Sequence, residues 1–302
     1  MNRRQEEMLL KRVAAIDIGT NSVRLLVAER DGDRLKAVEA GLATTRLGEG
    51  IGSGMLLPQA MERTVDAVEG FCRTAMHLQA GRITVAATSA VRDALNRDEF
   101  VQMVRQRTGL KVRILSGEEE AALTYRGVLA GLPVEPRATA VVDVGGGSTE
   151  LIWPREGGLR LVSVNVGAVR MTEAGMDVRK AAALLKPFLE EIKGMPVKCL
   201  VGVGGTVTTL AAVDQELAVY DPVRVHGYCL TAPKIEKILA KLEEMTVEER
   251  RRVPGLQPER ADIIVAGVAI VKAVMEGTGA GRMLVSEYDI LYGLVLEEVE
   301  IK

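Results

Sequence analysis

Two stretches of this chain repeat one pattern, and the repeat constrains the fold more than any other feature. The string AAIDIGTNSVRLLV begins at Ala14, and the string VVDVGGGSTEL begins at Val141. Both read as an apolar run, an Asp, an aliphatic residue, a Gly, two further residues, a Ser and a second apolar run. Such runs are typical of buried strands joined by a tight turn. The pattern therefore predicts a duplicated strand–loop–strand unit.

The loops within the repeat have the residue types of a phosphate-binding turn. A strand that ends in Asp and turns through Gly and Ser or Thr can offer backbone N–H groups to phosphate oxygens, while the carboxylate holds Mg²⁺ or one of its waters. A tight glycine hairpin beneath an ordinary sheet is the alternative for either copy, but two copies favour phosphate binding. The predicted phosphate-binding residues are Gly19, Thr20, Asn21 and Ser22 in the first loop and Gly145, Gly146, Gly147 and Ser148 in the second.

A third glycine loop follows a different apolar strand. Gly204, Gly205 and Thr206 lie at the junction of the apolar stretch CLVGV and the helical stretch TVTTLAAV. Free N–H groups at the start of a helix point toward a bound anion. The sequence therefore predicts a further phosphate contact here, with close packing of the helix against the strand as the alternative.

Strands and helices alternate along the chain, which indicates an α/β architecture. The length of 302 residues fits about two domains. Residues 131–138 contain two prolines and a glycine and are the candidate link between the domains. After this link the pattern predicts strands at 139–144 and 149–153, one helical stretch at 167–193 and a last helix near 288–299.

Composition and charge argue against several classes of function. A net charge of −2 and an aromatic content of 3% disfavour a protein that binds nucleic acids or anionic membranes through bulk charge and base stacking. The three cysteines form no CxxC pair, and with two histidines any metal site must rest on carboxylates. The first residues do not form a signal-peptide core, and the longest apolar run, 263–271, is too short to span a bilayer. We therefore expect a cytoplasmic protein with no membrane partner.

Six motifs in order resemble those of one enzyme family. They are AAIDIGTNSVRLLV, ATSAVRDALN, ILSGEEEA, VVDVGGGSTEL, VNVGAVRMTE and GVGGTVTTLAA. The chain is similar, from about Val13 to Gly293, to the short two-domain form of the exopolyphosphatase and guanosine pentaphosphate phosphohydrolase family. That family belongs to the sugar kinase, heat-shock and actin superfamily. The resemblance implies an α/β fold of two actin-like (ribonuclease H-like) domains with an interdomain cleft.

The resemblance also implies a domain division and an assembly. Residues 1–130 together with 288–302 would form domain I, and residues 131–287 would form domain II. The last helix carries an apolar stripe at helical spacing that must be buried, formed by Leu291, Leu294, Val295 and Val299. We expect this helix to pack on domain I, with a dimer contact or an ordinary helix of domain II as the alternatives. We also expect the protein to form a homodimer.

By the same resemblance, the protein is expected to hydrolyse the terminal phosphoanhydride of inorganic polyphosphate with Mg²⁺ as cofactor. Glu120 would activate the attacking water, and Arg92 would contact phosphate. Asp143 and Glu150 would hold Mg²⁺, with Asp17 in the same cluster. A requirement for a monovalent cation such as K⁺ is left open.

The residues around Glu120 support its role independently of the resemblance. Ser116 and Glu119 form an S-x-x-E capping box, which gives Glu119 a structural purpose. Glu120 has no part in that box, and a carboxylate at the first turn of a helix is well placed to activate water. The alternative is that the glutamates here only stabilise the helix dipole. For Arg92 the alternative is a solvated arginine paired with Asp93.

Other functions remain open from the sequence. Removal of the terminal phosphate of guanosine pentaphosphate would use the same residues. A non-catalytic nucleotide-binding regulator would have lost the chemistry, and a kinase of the same superfamily would need an acceptor base and an adenosine pocket. Many family members have Gly-Leu-Arg-Glu-Gly where this chain has SEYDILYG at 286–293, so an arginine expected there is absent.

Overall fold

The computed structural model describes residues 12–32 and 34–300, which divide into two compact units. The first unit comprises the described residues up to Ala130 and those from Ile290 onward, and the second comprises Gly131–Asp289. The division expected from the sequence placed the second crossing between residues 287 and 288, two residues earlier. None of the helices in the described part of the chain is long and apolar enough to cross a membrane.

The first unit is built on a five-stranded mixed sheet with the order β3-β2-β1-β4-β5. The first three strands are antiparallel neighbours, whereas β4 and β5 run parallel to β1. Its elements are β1 (Arg12–Ile18), β2 (Ser22–Asp31), β3 (Arg34–Thr44), α1 (Pro58–His77), β4 (Arg82–Ala87), α2 (Ser89–Arg92), α3 (Arg97–Thr108), β5 (Val112–Ile114) and α4 (Gly117–Gly131).

The second unit is built on a six-stranded mixed sheet with the order β10-β11-β9-β6-β7-β8. Its elements are β6 (Thr139–Val144), β7 (Thr149–Arg155), β8 (Gly158–Val164), α5 (Ala168–Ala174), α6 (Val178–Lys193), β9 (Cys199–Val203), α7 (Gly205–Asp214), α8 (Pro222–Val225), β10 (Cys229–Thr231), α9 (Ala232–Glu243), α10 (Val247–Arg250), α11 (Ile264–Thr278) and β11 (Arg282–Val285). The chain then returns to the first unit as α12 (Ile290–Glu300).

The two sheets share one topology, which confirms the predicted duplication. In both, three antiparallel strands connected in sequence are followed by two strands parallel to the first, giving the spatial order third, second, first, fourth, fifth. The second sheet adds β10 at its edge, antiparallel to β11. The fold is therefore the expected α/β arrangement of two actin-like, ribonuclease H-like domains.

The side chains of β1 are buried on both faces of the first sheet. Ala14, Ile16 and Ile18 pack in one cluster with residues of α1, while Val13 and Ala15 pack in another with residues of α12. This is the two-residue period of a strand buried on both sides. The apolar stripe of α12, with Leu291, Leu294 and Val295 buried, thus covers one face of the first sheet.

The structure corrects the prediction of one helix over 167–193. Two helices occupy this stretch, because α5 ends at Gly175, whose φ of 55° is the left-handed conformation that closes a helix. The helix α6 then begins after Asp177, whose side chain accepts a hydrogen bond from the Arg179 N–H at 2.6 Å. The short strand β10 was not predicted from the sequence at all.

Candidate active site

The predicted functional motifs follow the carboxyl ends of the parallel strands. In the first sheet the loops after β1, β4 and β5 carry GTNS, TSAVR and SGEEE, and in the second sheet the loops after β6, β9 and β11 carry GGGS, GGT and SEYD. Carboxyl ends of parallel neighbours lie at one edge of a sheet, where ligands bind in open α/β sheets. The structure therefore gathers the predicted residues into two groups, one in each unit.

The two repeated loops close with the same hydrogen bond. The N–H of Gly19 donates to the carbonyl of Ser22 at 3.0 Å, and the N–H of Gly145 donates to that of Ser148 at 3.0 Å. A Cβ added to either glycine would lie 3.0 Å from the same carbonyl oxygen. Any larger residue would crowd this oxygen, so the turn requires glycine at its first position in both units.

The carbonyl groups of the second loop accept hydrogen bonds from residues at the start of α5. Because a trans peptide directs its C=O and the following N–H in opposite directions, the N–H groups of Gly146, Gly147 and Ser148 point to the other side. A Cβ on Gly167, just before α5, would lie 2.5 Å from the Gly146 carbonyl group, so the contact is close. The donors are the N–H of Ala168 to Gly145 (3.0 Å), the N–H of Val169 to Gly146 (2.8 Å) and Nε of Arg170 to Gly147 (2.7 Å).

The first loop is braced in the same manner by the segment after β3. The N–H of Gly48 donates to the Thr20 carbonyl at 2.8 Å, and the N–H of Arg46 donates to the Asn21 carbonyl at 2.9 Å. On its side-chain face, the Thr20 hydroxyl lies 3.4 Å from the Ser89 hydroxyl at the start of α2. The N–H groups of Asn21 and Ser22 are thereby directed away from the bracing segment.

A charged residue faces the Asp of each repeated unit across its hairpin, but the charge differs between the units. Asp17 pairs in register with Arg24, whose Nη2 and Nε donate to Asp17 Oδ2 at 2.6 and 3.2 Å. Asp143 pairs in register with Glu150. Both members of the second pair are buried, and the Ser163 hydroxyl donates to Glu150 Oε1 at 2.7 Å. The two carboxylates therefore lie directly opposite each other on neighbouring strands.

The third glycine loop lies against the same carboxylate. Gly204 has a φ of 88°, and a Cβ on it would come 2.5 Å from Asp143 Oδ1. A Cβ on Gly205, the first residue of α7, would clash with the guanidinium of the buried Arg260 at 2.3 Å. The Thr206 side chain instead packs against Gly267 of α11. The Thr206 side chain therefore fits the alternative of close packing. Gly204 instead borders the Asp143 carboxylate, and Gly205 borders the Arg260 guanidinium.

Glu120 and Arg92 form an ion pair in the first unit. Arg92 Nη1 donates to Glu120 Oε2 at 2.8 Å and to the Leu115 carbonyl at 3.1 Å, while its Nε lies 3.7 Å from Asp93 Oδ1. Glu120 is buried at the first turn of α4. Parallel pairing of β4 with β5 places the ends of these strands side by side, which brings the two residues together.

The adjacent glutamate has the structural role expected for it. The Glu119 N–H donates to the Ser116 hydroxyl at 3.1 Å, and the Ser116 N–H donates to Glu119 Oε2 at 2.9 Å, which completes the capping box. The backbone hydrogen bond from Ser116, together with one from Arg113, lowers the pKa of Glu119. Glu119 is therefore engaged in helix capping, whereas Glu120 is paired with Arg92.

Sequence reasoning missed four polar residues of these groups, namely Arg24, Ser163, Arg170 and Arg260. Arg24 could have been found by pairing the first hairpin symmetrically about its loop, since Arg24 lies as far after Ser22 as Asp17 lies before Gly19. Arg170 belongs to the motif VNVGAVRMTE but had no role assigned. Arg260 has no local signal, because its contact with Gly205 joins distant parts of the sequence.

Comparison with known proteins shows that this chain matches one protein family. Residues 26–301 match the model of the Ppx/GppA phosphatase family. Exopolyphosphatase 2 of Mycobacterium tuberculosis is 33% identical over 315 residues, which cover 96% of this chain and 99% of that protein. The crystal structure of the Aquifex aeolicus member of the Ppx/GppA family is 33% identical, with a TM-score of 0.78 over 96% of this chain and 98% of that one. An exopolyphosphatase structure from Cytophaga hutchinsonii, 24% identical over 96% of this chain and 98% of its own, has a TM-score of 0.88 and shows likeness of fold.

Proposed function

We propose that this chain, which belongs to the Ppx/GppA phosphatase family, is an exopolyphosphatase that hydrolyses the terminal phosphoanhydride of inorganic polyphosphate. Similarity to exopolyphosphatase 2 along nearly the whole of both chains supports the reaction class. The phosphate-binding character of the repeated loops supports the substrate class.

The observation that carries the proposal is the direction of the amide groups in the second loop. Its three carbonyls are taken up by α5 and by Arg170, so its consecutive N–H groups point together to the opposite side. Convergent backbone N–H groups of this kind form an anion-binding nest. A nest built from main chain alone recognises phosphate oxygens without reading a nucleobase, as a polyphosphate substrate requires.

We propose Mg²⁺ as the cofactor, with Asp143 and Glu150 as its protein ligands. Mg²⁺ prefers oxygen donors and is usually held by one or two carboxylates together with substrate phosphates and water. No group of three or more His, Cys, Asp or Glu side chains that could hold a metal occurs within residues 12–32 and 34–300, so a site shared with substrate fits better than a closed protein cage. When bound, Mg²⁺ would neutralise charge on the transferring phosphoryl group.

Glu120 is the proposed base that takes the proton from the attacking water. Phosphoryl transfer asks the protein for little covalent chemistry and depends on positioning and charge. Arg92 fixes the direction of the Glu120 carboxylate through the 2.8 Å hydrogen bond, and its planar guanidinium suits phosphate oxygens as well. A phosphate that reaches Arg92 therefore meets the base that acts on its attacking water.

Three finer features remain predictions. The sequence and the family resemblance predict a homodimer, which light scattering of the purified protein tests. The sequence also predicts a cytoplasmic location. A dependence on K⁺ is tested by replacing it with Na⁺ in the assay of phosphate release.

The test compares phosphate release from polyphosphate and from guanosine pentaphosphate at equal concentrations of terminal phosphate. We expect faster release from polyphosphate. Glu120→Gln should lower release by roughly 10²- to 10⁴-fold while polyphosphate binding is retained, because the change removes a base and keeps its shape. The matched control is Glu118→Gln, an exposed neighbour on the same helical turn, which should keep wild-type turnover.

Two outcomes would overturn the proposal. Faster release from guanosine pentaphosphate would assign the site to that nucleotide instead. Wild-type turnover in Glu120→Gln would remove this residue from the chemistry.

A further inference from the structure

We propose that Arg170 is a positioning residue for the substrate phosphate. Its side chain holds the peptide group between Gly147 and Ser148, and so directs the Ser148 N–H to the side where phosphate binds. The inference rests on the proposed function, because it takes the second loop as a phosphate-binding nest.

Arg170 holds two successive peptide groups of the second loop. Its main-chain N–H donates to the Gly146 carbonyl at 3.0 Å, and its Nε donates to the Gly147 carbonyl at 2.7 Å. These two peptide groups carry the N–H groups of Gly147 and Ser148. Because a trans peptide directs its C=O and its N–H in opposite directions, one residue thereby sets the direction of two neighbouring amides.

The two hydrogen bonds differ in how far they depend on the arginine side chain. The Gly146 carbonyl accepts main-chain N–H groups from both Val169, at 2.8 Å, and Arg170, so any residue at position 170 can hold it. Within residues 12–32 and 34–300, no main-chain N–H donates to the Gly147 carbonyl, which is bound by Arg170 Nε. Of the two amides, the Ser148 N–H is therefore the one whose direction depends on a side chain.

The first loop shows the same brace built from main chain. Asn21 corresponds to Gly147, since each lies two residues after the first glycine of its loop. The Asn21 carbonyl accepts the N–H groups of Thr45 and Arg46 at 3.2 and 2.9 Å. A substitution can therefore remove this brace from the second loop, whereas in the first loop the brace survives any replacement that keeps a main-chain N–H.

The peptide after Gly147 needs such a brace because glycine restricts its own backbone little. Rotation of this peptide would turn the Gly147 carbonyl toward the phosphate, where an N–H donor is required. The guanidinium also carries a positive charge, and a hydrogen bond from a charged donor polarises the peptide and strengthens the N–H at its other end. Arg170 thus both directs the Ser148 amide and strengthens it as a donor.

The experiment measures binding of a tripolyphosphate analogue whose P–C–P links are not hydrolysed, by calorimetry on the full-length protein with Mg²⁺ present. Arg170→Lys should weaken binding roughly tenfold to a hundredfold, because lysine keeps the charge and the main-chain N–H but loses Nε. The KM for polyphosphate should rise by a similar factor with kcat nearly unchanged, as expected when an interaction holds the substrate equally before and during the reaction.

The matched control is Arg179→Lys in the next helix. Arg179 is exposed at the start of α6, and its main-chain N–H is also engaged, by Asp177 Oδ1 at 2.6 Å. This variant should bind the analogue as the wild type does. Circular dichroism checks that each variant is folded.

Nuclear magnetic resonance supplies a readout that a purely structural role would not move. The Arg170 Nε–H and the Ser148 N–H are donors at the two ends of one hydrogen-bonded peptide group. Binding of the analogue to the wild type should therefore shift both signals. In Arg170→Lys the shift of the Ser148 amide on binding should be smaller.

The outcomes separate this inference from the proposed function. Wild-type affinity in a folded Arg170→Lys overturns the inference and leaves the proposed function standing. A wild type that binds the analogue but releases no phosphate from polyphosphate overturns the proposed function, while weaker binding in Arg170→Lys still supports the inference. A wild type that does not bind the analogue rejects the nest and the inference with it. If Arg170→Lys does not fold, the wild-type signals decide, and an Arg170 Nε–H that does not shift on binding overturns the inference.

Discussion

At the scale of single residues, the proposed reaction depends most on how Arg92 and Glu120 are positioned. The guanidinium reaches the Glu120 carboxylate and the Leu115 carbonyl from one nitrogen, and Asp93 lies at its other side. These contacts hold Arg92 and Glu120, the proposed base, in place without a substrate. A preorganised group of this kind needs no rearrangement during the reaction.

Arg92→Lys should therefore lower kcat on polyphosphate roughly tenfold to a hundredfold, because lysine keeps the charge but loses the planar fork. Steady-state kinetics with a parallel thermal melt checks this. The control is Arg105→Lys, an exposed arginine on α3, which should behave as wild type. An unchanged kcat in Arg92→Lys would show that the guanidinium geometry has no part in the reaction.

At the scale of elements, local patterns predict strands and helices where the deciding contacts are local. The strand at 139–144 has the bounds that its apolar run predicts. The strand β10 was missed because only its pairing with the distant β11 makes its three residues a strand. The break between α5 and α6 was missed because it rests on a single glycine in a left-handed conformation.

The same division between local and distant contacts applies to the site. The repeated loops were predicted because their residues are consecutive. Glu150, the partner of Asp143, was also predicted, but recognising Arg24 as the partner of Asp17 required the hairpin register, and Arg260 required the packed three-dimensional structure. Residues whose role depends on distant neighbours leave no pattern in one sequence.

The helices α12 and α4 approach each other closely at a glycine, and this contact can be tested by substitution. A Cβ on Gly293 would lie 2.1 Å from the carbonyl oxygen of Leu123, a backbone atom that cannot move aside alone. Gly293→Ala should therefore destabilise the first unit by about 1–3 kcal/mol. Hydrogen exchange should show the loss of protection there, while fluorescence of Trp153, the single tryptophan and buried in the second unit, reports that unit separately.

The matched substitution is Gly70→Ala in α1. Apart from its chain neighbours and the backbone of its own helix, nothing lies within 4 Å of a Cβ at Gly70. Alanine is about 1 kcal/mol better than glycine inside a helix, so this variant should be more stable than the wild type. Equal stability changes in the two variants would contradict the close approach of α12 and α4.

At the scale of the whole molecule, the two units share one sheet topology but carry different polar and charged groups in their loops. Each unit presents three loops at the carboxyl edge of its parallel strands. The first unit carries Glu120, the proposed base, and the positively charged side chains of Arg24 and Arg92. The second supplies the outward-facing amides and the carboxylate pair. The chain passes between the units twice, after Ala130 and after Asp289, so neither unit is a simple N- or C-terminal half.

The central claim is that this protein removes terminal phosphates from polyphosphate one at a time. Phosphorus NMR of long-chain polyphosphate incubated with the purified protein and Mg²⁺ tests it directly, because terminal, internal and free phosphates resonate separately. We expect orthophosphate to rise as internal phosphate falls, while the terminal signal stays constant until the chains become short. A terminal signal that grows from the start would show internal cleavage, and a spectrum without orthophosphate would show that the protein does not hydrolyse this substrate.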